Sequence, residues 1–550
     1  MDEIKIKYKG DEISVQKGTT LLELSKKYKD NYKYDILSGS INNRLSNLST
    51  ELTKNCTIDF YDVSSLLGNR TYERGLYFLL SKSVMDVLGC DIKIMHVVDK
   101  GIYCQILFNN KVTDVIVEKI RQKMQSLVEK ELPIDKIMVS RLDAIDYYEK
   151  MNQFDKAQSL RYISNSSISL YRMDDTLDYF YGVLPNNTKL LKTFDVKNIG
   201  DNNIMLMFPY YYDINAGLKF DRNEMIINSI KENDKSLESM GINTSVDLNK
   251  LVSKGEYADI IRISESMQNS KLLEIVNKIN DDKNIKMVLI TGPSSSGKTT
   301  MSKKLTLFLK SKGYDPIPIS VDDFYKNIED RVKDENGEIE RERISAFDTN
   351  LFNTKMSDLL NKEEVLLPKY NFPANKREWR DSKIKMKDNS ILIIEGIHAF
   401  NDKLTEIIPD KNKFKIFICP ETPLNIDNHN LFRTTDNRLL RRIVRDNRTR
   451  GTSSSETLKS WKQVRKIEEE IILPYSKEAD EVINTSLVYE LSVLKTYAEP
   501  LLFSVSENDE NYDEALRLIN LFRVILGMPS DAVPDDSIMR EFIGGSCFEY

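Results

Sequence analysis

Histidine is scarce in this sequence of 550 residues: His96, His398 and His429 are the three present, far apart in the chain. The five cysteines are also scattered, and no two of them form a CxxC pair. Protein zinc sites are usually built from closely spaced histidines and cysteines. The sequence therefore offers no zinc site of the usual spacing, and isolated histidines of this kind are typical of ordinary core or surface positions.

Signal peptides and long apolar runs are missing as well. The chain begins Met1-Asp2-Glu3-Ile4-Lys5, without the basic and then apolar order of a signal peptide. No apolar run approaches the ~18 residues that span a bilayer, and scattered cysteines are typical of reduced thiols in a cytosol. We therefore predict a cytoplasmic protein without membrane contact. The net charge of −6 also means that any nucleic-acid contact must come from a local patch.

The length of 550 residues is enough for two to four domains. Residues 1–62 have a β-rich pattern: two alternating segments flank a Lys9-Gly10-Asp11 turn, Thr20 precedes an amphipathic segment, and residues 57–61 alternate again. This order predicts a hairpin, a helix and a returning strand. The resulting β-grasp pattern resembles the TGS domain at the N-terminus of threonyl-tRNA synthetases.

Residues 63–215 have an α+β pattern, in which residues 140–149 resemble the second additional domain of threonyl- and alanyl-tRNA synthetases. In those enzymes the domain edits mischarged tRNA with an HxxxH pair and a later Cys/His pair. The helix over residues 72–80 has no histidine here, and residues 178–185 are aromatic where the metal ligands would stand. We therefore expect the scaffold without the editing chemistry, because a metal-dependent hydrolase needs those ligands.

The role of this second unit is open between a packing or homo-oligomerisation module and a site for RNA or a small ligand. The tyrosine-rich run at residues 209–212 fits either a stacking platform or an interdomain contact. Residues 216–280 are predicted to be a helical connector, and residues 491–550 a helical tail. Between them, residues 281–490 carry the clearest chemistry.

A phosphate-binding motif follows a short apolar strand at residues 285–290. Gly292-x4-Gly297-Lys298-Thr299 is a full Walker A in a strand–loop–helix context. Lysine at this position reaches the β- and γ-phosphates of ATP, and the threonine hydroxyl binds Mg²⁺. The residues predicted to bind the nucleotide are Gly292, Ser294, Ser295, Ser296, Gly297, Lys298, Thr299 and Thr300.

The next predicted strand, residues 316–321, ends in Asp322-Asp323-Phe324-Tyr325. A carboxylate at the carboxyl end of a neighbouring strand lies beside the γ-phosphate, where it can accept a hydroxyl proton or hold a Mg²⁺ ligand water. Asp322 is thus the candidate catalytic base and a candidate metal ligand. The aromatic pair Phe324-Tyr325 directly after the acid is well placed to flank a flat substrate.

Four arginines recur at helical spacing near the end of this domain. Arg438, Arg441, Arg442 and Arg445 share one helical face, so an anion should meet them. The triphosphate of ATP is the obvious candidate, because guanidinium groups match phosphate oxygens. We predict that Arg438 and Arg442 bind ATP and that Arg441 and Arg445 assist catalysis. The alternatives are a solvated basic face and an RNA patch. Arg448 and Arg450 are expected in a mobile lid.

These motifs, with Ala346-Phe347-Asp348, residues 368–372 and residues 393–400, resemble the uridine kinase/phosphoribulokinase family in content and order. With the N-terminal units, the chain resembles bacterial nucleoside kinases fused to TGS and synthetase-like domains. The resemblance implies a P-loop parallel sheet with flanking helices, ATP with Mg²⁺, and Glu395 as a further metal carboxylate. It also implies a substrate site, for which the candidates are Tyr325, Glu342, Tyr370, Phe372 and Arg377.

Two departures concern the acceptor. Uridine kinases place a histidine shortly after the Tyr-Asp-Phe motif, where this chain has Asn375 or Lys376, and Glu342 replaces their ribose-binding aspartate. The sequence therefore predicts phosphate transfer from ATP to a nucleoside 5′-hydroxyl, with uridine or cytidine favoured. The alternatives are a P-loop kinase of another hydroxylated metabolite and an RNA-binding regulator that senses nucleotides. A weak RNA contact through the N-terminal units stays open.

Overall fold

The N-terminal unit is a five-stranded sheet with one short helix. The computed structural model of the protein describes residues 3–98, 100–215, 217–218, 223–332, 343–371, 374–406, 408–422 and 424–550. The elements of this unit are β1 (Glu3–Tyr8), β2 (Asp11–Gln16), α1 (Leu21–Lys27), β3 (Ile36–Ile41), β4 (Arg44–Ser46) and β5 (Cys56–Asp62). The strand order is β2-β1-β5-β3-β4, with β1 and β5 parallel. The predicted hairpin turns at Lys9-Gly10, and Thr20 caps α1 in a reciprocal capping box with Glu23.

The second unit contains two antiparallel sheets, β11-β12-β7-β6 and β10-β9-β8. Its first elements are α2 (Leu66–Leu88), β6 (Ile92–Val98), β7 (Gly101–Ile106), α3 (Asp114–Glu129), β8 (Ile134–Ser140), α4 (Arg141–Lys150) and α5 (Phe154–Arg161). The remaining ones are β9 (Ser167–Met173), β10 (Thr176–Asp178), β11 (Asp195–Gly200) and β12 (Asn203–Met207). Helix α2 is buried along most of its length, so it forms the centre of this unit.

Three helices connect this unit to the C-terminal part: α6 (Glu224–Ser239), α7 (Ser245–Lys254) and α8 (Tyr257–Asp281). Asn223 caps α6, and Thr244 forms a capping box with Asp247 at the start of α7. Helices therefore make up most of the described part of residues 216–280. Helix α8 packs on the helix Lys298–Ser311 of the next domain.

The C-terminal part is built on a parallel five-stranded sheet, as predicted, in the order β14-β17-β13-β18-β19. Its first elements along the chain are β13 (Met287–Thr291), α9 (Lys298–Ser311), β14 (Asp315–Ser320), α10 (Thr349–Leu360), β15 (Pro368–Asn371), β16 (Lys376–Trp379), β17 (Ser390–Glu395) and α11 (Asp402–Thr405). Then follow β18 (Lys413–Cys419), α12 (Thr434–Arg450), α13 (Ser454–Ile467), β19 (Glu481–Asn484), α14 (Glu490–Phe503), α15 (Tyr512–Phe522) and α16 (Ile538–Ile543). Strands β13 and β17 are buried throughout, as expected when helices cover both faces.

The second unit and the C-terminal part share one hydrophobic core. Tyr148 and Leu160 of the second unit pack in the same cluster as Leu439 of α12, Val493 of α14 and Ile519 of α15. The tyrosine-rich run lies outside this core but close to the C-terminal part, because the charges of Glu469 and Arg465 act on the pKa values of Tyr211 and Tyr212. Of its two predicted roles, an interdomain contact is the one its surroundings favour.

No helix among the described residues combines the length and the apolar character needed to cross a membrane.

Candidate active site at the phosphate-binding loop

The glycine-rich loop joins β13 to α9 at the carboxyl edge of the parallel sheet. Gly292 lies so close to β18 that a Cβ atom there would stand 2.4 Å from the Ile418 carbonyl oxygen. Gly297 has a φ of 87°, a left-handed conformation that side chains rarely adopt, and it caps α9. The backbone itself therefore requires both glycines. The loop directs the N-terminus of a 14-residue helix at the site, which is a favourable position for an anion.

Lys298 folds back over this loop. Its Nζ donates to the carbonyl oxygens of Gly292 at 3.1 Å and Pro293 at 2.9 Å. Burial lowers the pKa of Lys298, while Glu395 and Asp322 act in the opposite direction. The ammonium group therefore lies among carboxylates and carbonyl oxygens, where its charge can meet incoming phosphate oxygens.

Two of the predicted carboxylates end neighbouring strands. Glu395 is the last residue of β17, in register with Ser320 of β14 on one side and Ile290 of β13 on the other. Asp322 lies in the short 3₁₀ turn directly after β14. Burial raises the pKa of Glu395 to about 7, and the neighbouring charge of Asp322 adds to the effect. The structure thus brings Asp322, Glu395 and Lys298 together.

Among the described residues, no group of three or more His, Cys, Asp or Glu side chains could hold a metal ion by itself. Mg²⁺ in phosphate-transfer sites is usually bound by one or two carboxylates, with water and substrate phosphates completing the shell. Asp322, Glu395 and the partly buried Thr299 offer oxygen donors of this kind. These residues therefore fit Mg²⁺ bound together with a nucleotide.

The arginine face of α12 lies against the loop, but its members differ in their contacts. Arg438 is buried, forms a double ion pair with Glu468 at 2.6 and 2.8 Å, and reaches the Ser294 carbonyl oxygen. Arg441 is fully buried and forms a double ion pair with Glu490 at 2.6 and 2.7 Å. Both side chains already have anionic partners within the protein.

The other two arginines of this face, Arg442 and Arg445, are less completely paired with groups of the protein. Arg442 donates to Ser294 Oγ at 2.9 Å and pairs with Asp446 at 3.2 Å. Arg445 also pairs with Asp446, at 2.9 Å. Arg448 lies in the last turn of the same helix, so the expected lid begins as regular helix rather than as a loop.

The sequence did not predict the acidic and polar side chains that hydrogen-bond to the backbone of the loop. Glu468 accepts from the Ser294 backbone N–H at 2.7 Å, and Thr485 donates to the Ser296 carbonyl oxygen at 2.6 Å. These residues stand 174 and 189 positions away from their partners in the chain. No local pattern marks them.

The predicted substrate side chains line a compact aromatic group beside β14. The Tyr325 ring stacks on Phe347 at a centroid distance of 4.1 Å, and the Tyr370 ring lies 5.4 Å from Tyr325. The guanidinium of Arg331 lies over Tyr325 at 4.5 Å and over Tyr370 at 5.2 Å. Arg331, which the motif-based prediction missed, therefore belongs to the same group.

Arg377 projects from the β15–β16 hairpin toward this group. It pairs with Asp348 at 3.1 Å and donates to the Tyr325 carbonyl oxygen at 3.0 Å. Glu342 and Phe372, the remaining predicted substrate residues, lie outside the described residues. The structure thus brings together Tyr325, Tyr370 and Arg377.

The C-terminal segment also reaches the loop. Glu541 of α16 accepts from Thr300 Oγ1 at 2.6 Å and faces the Thr300 backbone N–H at 3.4 Å. A Cβ atom on Gly297 would stand 2.8 Å from the Cγ2 atom of Ile538. Arg448 holds α16 by donating to the carbonyl oxygens of Glu541 and Phe542. Helix α16 therefore packs directly on the first turn of α9.

Comparison with known proteins agrees with this geometry. Residues 287–491 match the family described as Phosphoribulokinase / Uridine kinase family. These matching residues support a C-terminal kinase domain of that family. A uridine kinase of Staphylococcus aureus (strain JH9) is 29% identical to the chain over 195 residues, which cover 35% of this chain and 84% of that protein.

Solved kinase structures also align with the chain. One is described as a possible uridine kinase from Bacillus stearothermophilus; it has 16% identity, a TM-score of 0.28, and coverage of 39% of this chain and 98% of that one. The D-glycerate 3-kinase from Cryptococcus neoformans var. grubii has 14% identity, a TM-score of 0.29, and coverage of 38% and 89%. The kinase-family match indicates a phosphotransferase, while the TGS-like and synthetase-like assignments of the N-terminal units stay predictions.

Proposed function

We propose that the protein is an ATP-dependent nucleoside kinase of the uridine/cytidine type, which transfers the γ-phosphate of ATP to a nucleoside 5′-hydroxyl. One observation carries this proposal: Lys298 of the Walker A loop lies among carboxylates that end two adjacent parallel strands. A nucleotide-binding loop, a base and a metal-binding carboxylate are the parts that phosphoryl transfer requires.

Asp322 is the base of the proposed reaction. It accepts the proton of the 5′-hydroxyl as that oxygen bonds to the γ-phosphorus and the bond to the β,γ-bridging oxygen breaks. The products are the nucleoside monophosphate and ADP. Lys298 stabilises the charge on the transferring group. Mg²⁺, held by Thr299 and Glu395 with Asp322 nearby, would neutralise charge on the β- and γ-phosphates.

The arginine helix has two tasks in this proposal. Arg442 and Arg445 face the phosphates, since their protein partners engage them only in part. Arg438 and Arg441 position the loop through its carbonyl oxygens at Ser294 and Ser295. Arg441 is therefore assigned a positioning role instead of the catalytic role predicted from its spacing.

The nucleoside is proposed to lie against Tyr325 and Tyr370, with Arg331 and Arg377 at its edge. The Tyr325 and Tyr370 rings, 5.4 Å apart and tilted by 54° to each other, offer two aromatic faces against which a base can pack. Because Asn375 and Lys376 replace the usual histidine, the acceptor test must include purine nucleosides and other hydroxylated metabolites.

The test is ADP release from Mg·ATP with a panel of nucleosides and small alcohols. We expect turnover with uridine or cytidine, and a loss of about 10²-fold or more in kcat for Lys298→Ala and Asp322→Asn. Lys310→Ala, at an exposed position of the same helix α9, is the matched control and should keep full activity. Binding of ATP without turnover of any nucleoside would overturn the proposal.

A further inference from the structure

A small cavity lies between the second unit and the kinase domain, apart from the phosphate-binding loop. Its volume is about 50 Å³, and helix α2, the start of α12 and helix α15 contribute to its wall. Four arginines face it: Arg70, Arg74, Arg433 and Arg517. None of these four residues takes part in the proposed phosphate transfer.

Three of the four guanidinium groups have carboxylate partners. Arg433 pairs with Glu73, which also accepts from the Tyr77 hydroxyl. Arg517 pairs with Asp436 at 2.6 Å and with Glu514 at 2.8 Å. Arg70 shares these two carboxylates, at 3.4 Å from Asp436 and 2.8 Å from Glu514. The acidic groups of the cavity wall are thus already occupied.

Arg74 is the exception. Its Nε donates to the Val183 carbonyl oxygen at 3.0 Å, but within the described part of the chain no carboxylate lies within ion-pair distance of it. Its two terminal nitrogens likewise have no hydrogen-bond partner among those residues. Burial and the neighbouring Arg70 and Arg517 lower the pKa of Arg74 to about 10, so the group stays charged at neutral pH. Arg74 is half-buried, and a cation that has lost part of its hydration without gaining a partner favours an anion beside it.

Glycine at position 182 makes room for this guanidinium. A Cβ atom on Gly182 would stand 2.5 Å from Cζ of Arg74 and 2.6 Å from its Nε. The flat side chain therefore lies directly on the backbone at Gly182, and any larger residue would displace it. Position 182 thus gives a way to move the cation without removing its charge.

Charge and size together define the ligand. The carboxylates of Glu73, Asp436 and Glu514 pair with three of the arginines, and the guanidinium of Arg74 is left without a carboxylate partner among the described residues. Guanidinium groups bind oxyanions through paired N–H donors, and the N-terminus of α12 adds positive potential. About 50 Å³ accommodates one phosphate group but no nucleoside.

We propose that this cavity is a binding site for a phosphate-type oxyanion, held by Arg74 and the surrounding arginines. The ion is either free inorganic phosphate or the phosphate group of a larger molecule whose remainder lies outside the cavity. The site does not depend on the proposed kinase activity, because it shares no residue with the phosphate-binding loop.

The experiment is isothermal titration calorimetry of the full chain with inorganic phosphate, in a Lys298→Ala background that weakens phosphate binding at the loop. We expect one site, with affinity reduced at least tenfold by Arg74→Met and also by Gly182→Ala. Arg172→Met, at an exposed arginine of β9 paired with Asp135, is the control and should bind as the background does. Circular dichroism of each variant verifies folding, and Gly182→Ala keeps the test valid if Arg74→Met does not fold.

A parallel titration with AMP distinguishes the two sources of the ion. Equal Arg74-dependent affinity for phosphate and AMP means that the phosphate group alone is recognised, and tighter Arg74-dependent binding of AMP means that it is recognised as part of a nucleotide. The proposal is overturned if inorganic phosphate does not bind, or if the Arg74 and Gly182 variants bind it like the control.

Discussion

Glu395 is a carboxylate whose environment disfavours its charge. Burial raises its pKa to about 7, above the ordinary value of 4.5. Between pH 4.5 and 7, Glu395 is therefore protonated in the folded protein but ionised in the unfolded chain. In that window stability falls as the pH rises, and above pH 7 the loss is complete. The contribution is on the order of 3 kcal/mol at most.

We predict that Glu395→Gln removes this pH-dependent loss. Urea midpoints measured from pH 4.5 to 7.5 should fall less steeply with pH for the variant than for the unmodified protein. Glu549→Gln, at an exposed position, is the control and should keep the original slope. Parallel slopes for Glu395→Gln and the unmodified protein would contradict the assignment.

The buried pair of Arg441 and Glu490 leads to a prediction about stability. Removal of one partner leaves the other charge uncompensated at a position with no solvent exposure. We expect Arg441→Ala to lower the free energy of unfolding by about 3–5 kcal/mol. Chemical denaturation followed by circular dichroism measures this change.

Replacing both partners distinguishes two causes of the instability, an unpaired buried charge and a loss of packing. The double variant Arg441→Met/Glu490→Leu removes both charges and should recover most of the lost stability. Arg121→Ala, in an exposed pair with Glu118, should change stability by less than about 1 kcal/mol. If the double variant is as unstable as Arg441→Ala, the loss does not come from an unpaired charge.

At the scale of elements, helix α16 places a carboxylate at the first turn of α9. Glu541 lies 2.6 Å from Thr300 Oγ1, beside backbone N–H groups that the proposed function assigns to ATP phosphates. Its charge opposes a triphosphate at the same helix end. We therefore predict that Glu541→Gln lowers KM for ATP several-fold, as measured by steady-state ADP release.

The comparison for this prediction is again Glu549→Gln, since Glu549 belongs to the same C-terminal segment but is exposed. It should leave KM for ATP unchanged. An unchanged or higher KM in Glu541→Gln would mean that this carboxylate does not compete with the nucleotide and only caps α9.

Elements with a local signature could be predicted from the sequence. The loop at 292–299 and the arginine face of α12 carry their patterns within a few residues, and both are present where expected. The partners of these elements could not be predicted. Glu490 meets Arg441 across 49 positions, and Glu541 meets Thr300 across 241, so only the folded topology brings them together. Arg441 therefore looked available to ATP in the sequence but is paired in the structure.

At the scale of the whole molecule, a charged network joins the second unit to the kinase domain beside their shared hydrophobic core. His429 precedes α12 and is 1% exposed. Its Nδ1 lies 2.7 Å from Asp178 and its Nε2 lies 2.8 Å from Asp91, both in the second unit. Lys156, also of that unit, contacts Asp178 and His429. An isolated histidine in the sequence is thus the centre of an interdomain contact.

The charge on His429 makes this contact sensitive to pH. Burial and the Lys156 ammonium oppose its protonation, but Asp178 and Asp91 outweigh them and raise the pKa of His429 to about 10. Because the folded pKa exceeds the ordinary value of 6.5, the stabilisation is fully present below pH 6.5. It is lost progressively as the pH rises toward 10.

We predict that His429→Asn destabilises the full chain most at low pH, and that the difference in urea midpoint from the unmodified protein shrinks between pH 6.5 and 9.5. The comparison between variants cancels the titration of shared groups that lie away from His429; it does not cancel that of the Asp427 carboxyl, whose pKa burial raises to about 6 and the His429 charge lowers. A difference that stays constant over this range would mean that His429 contributes by packing alone. A shrinking difference would show that its protonated ring joins the second unit to the kinase domain.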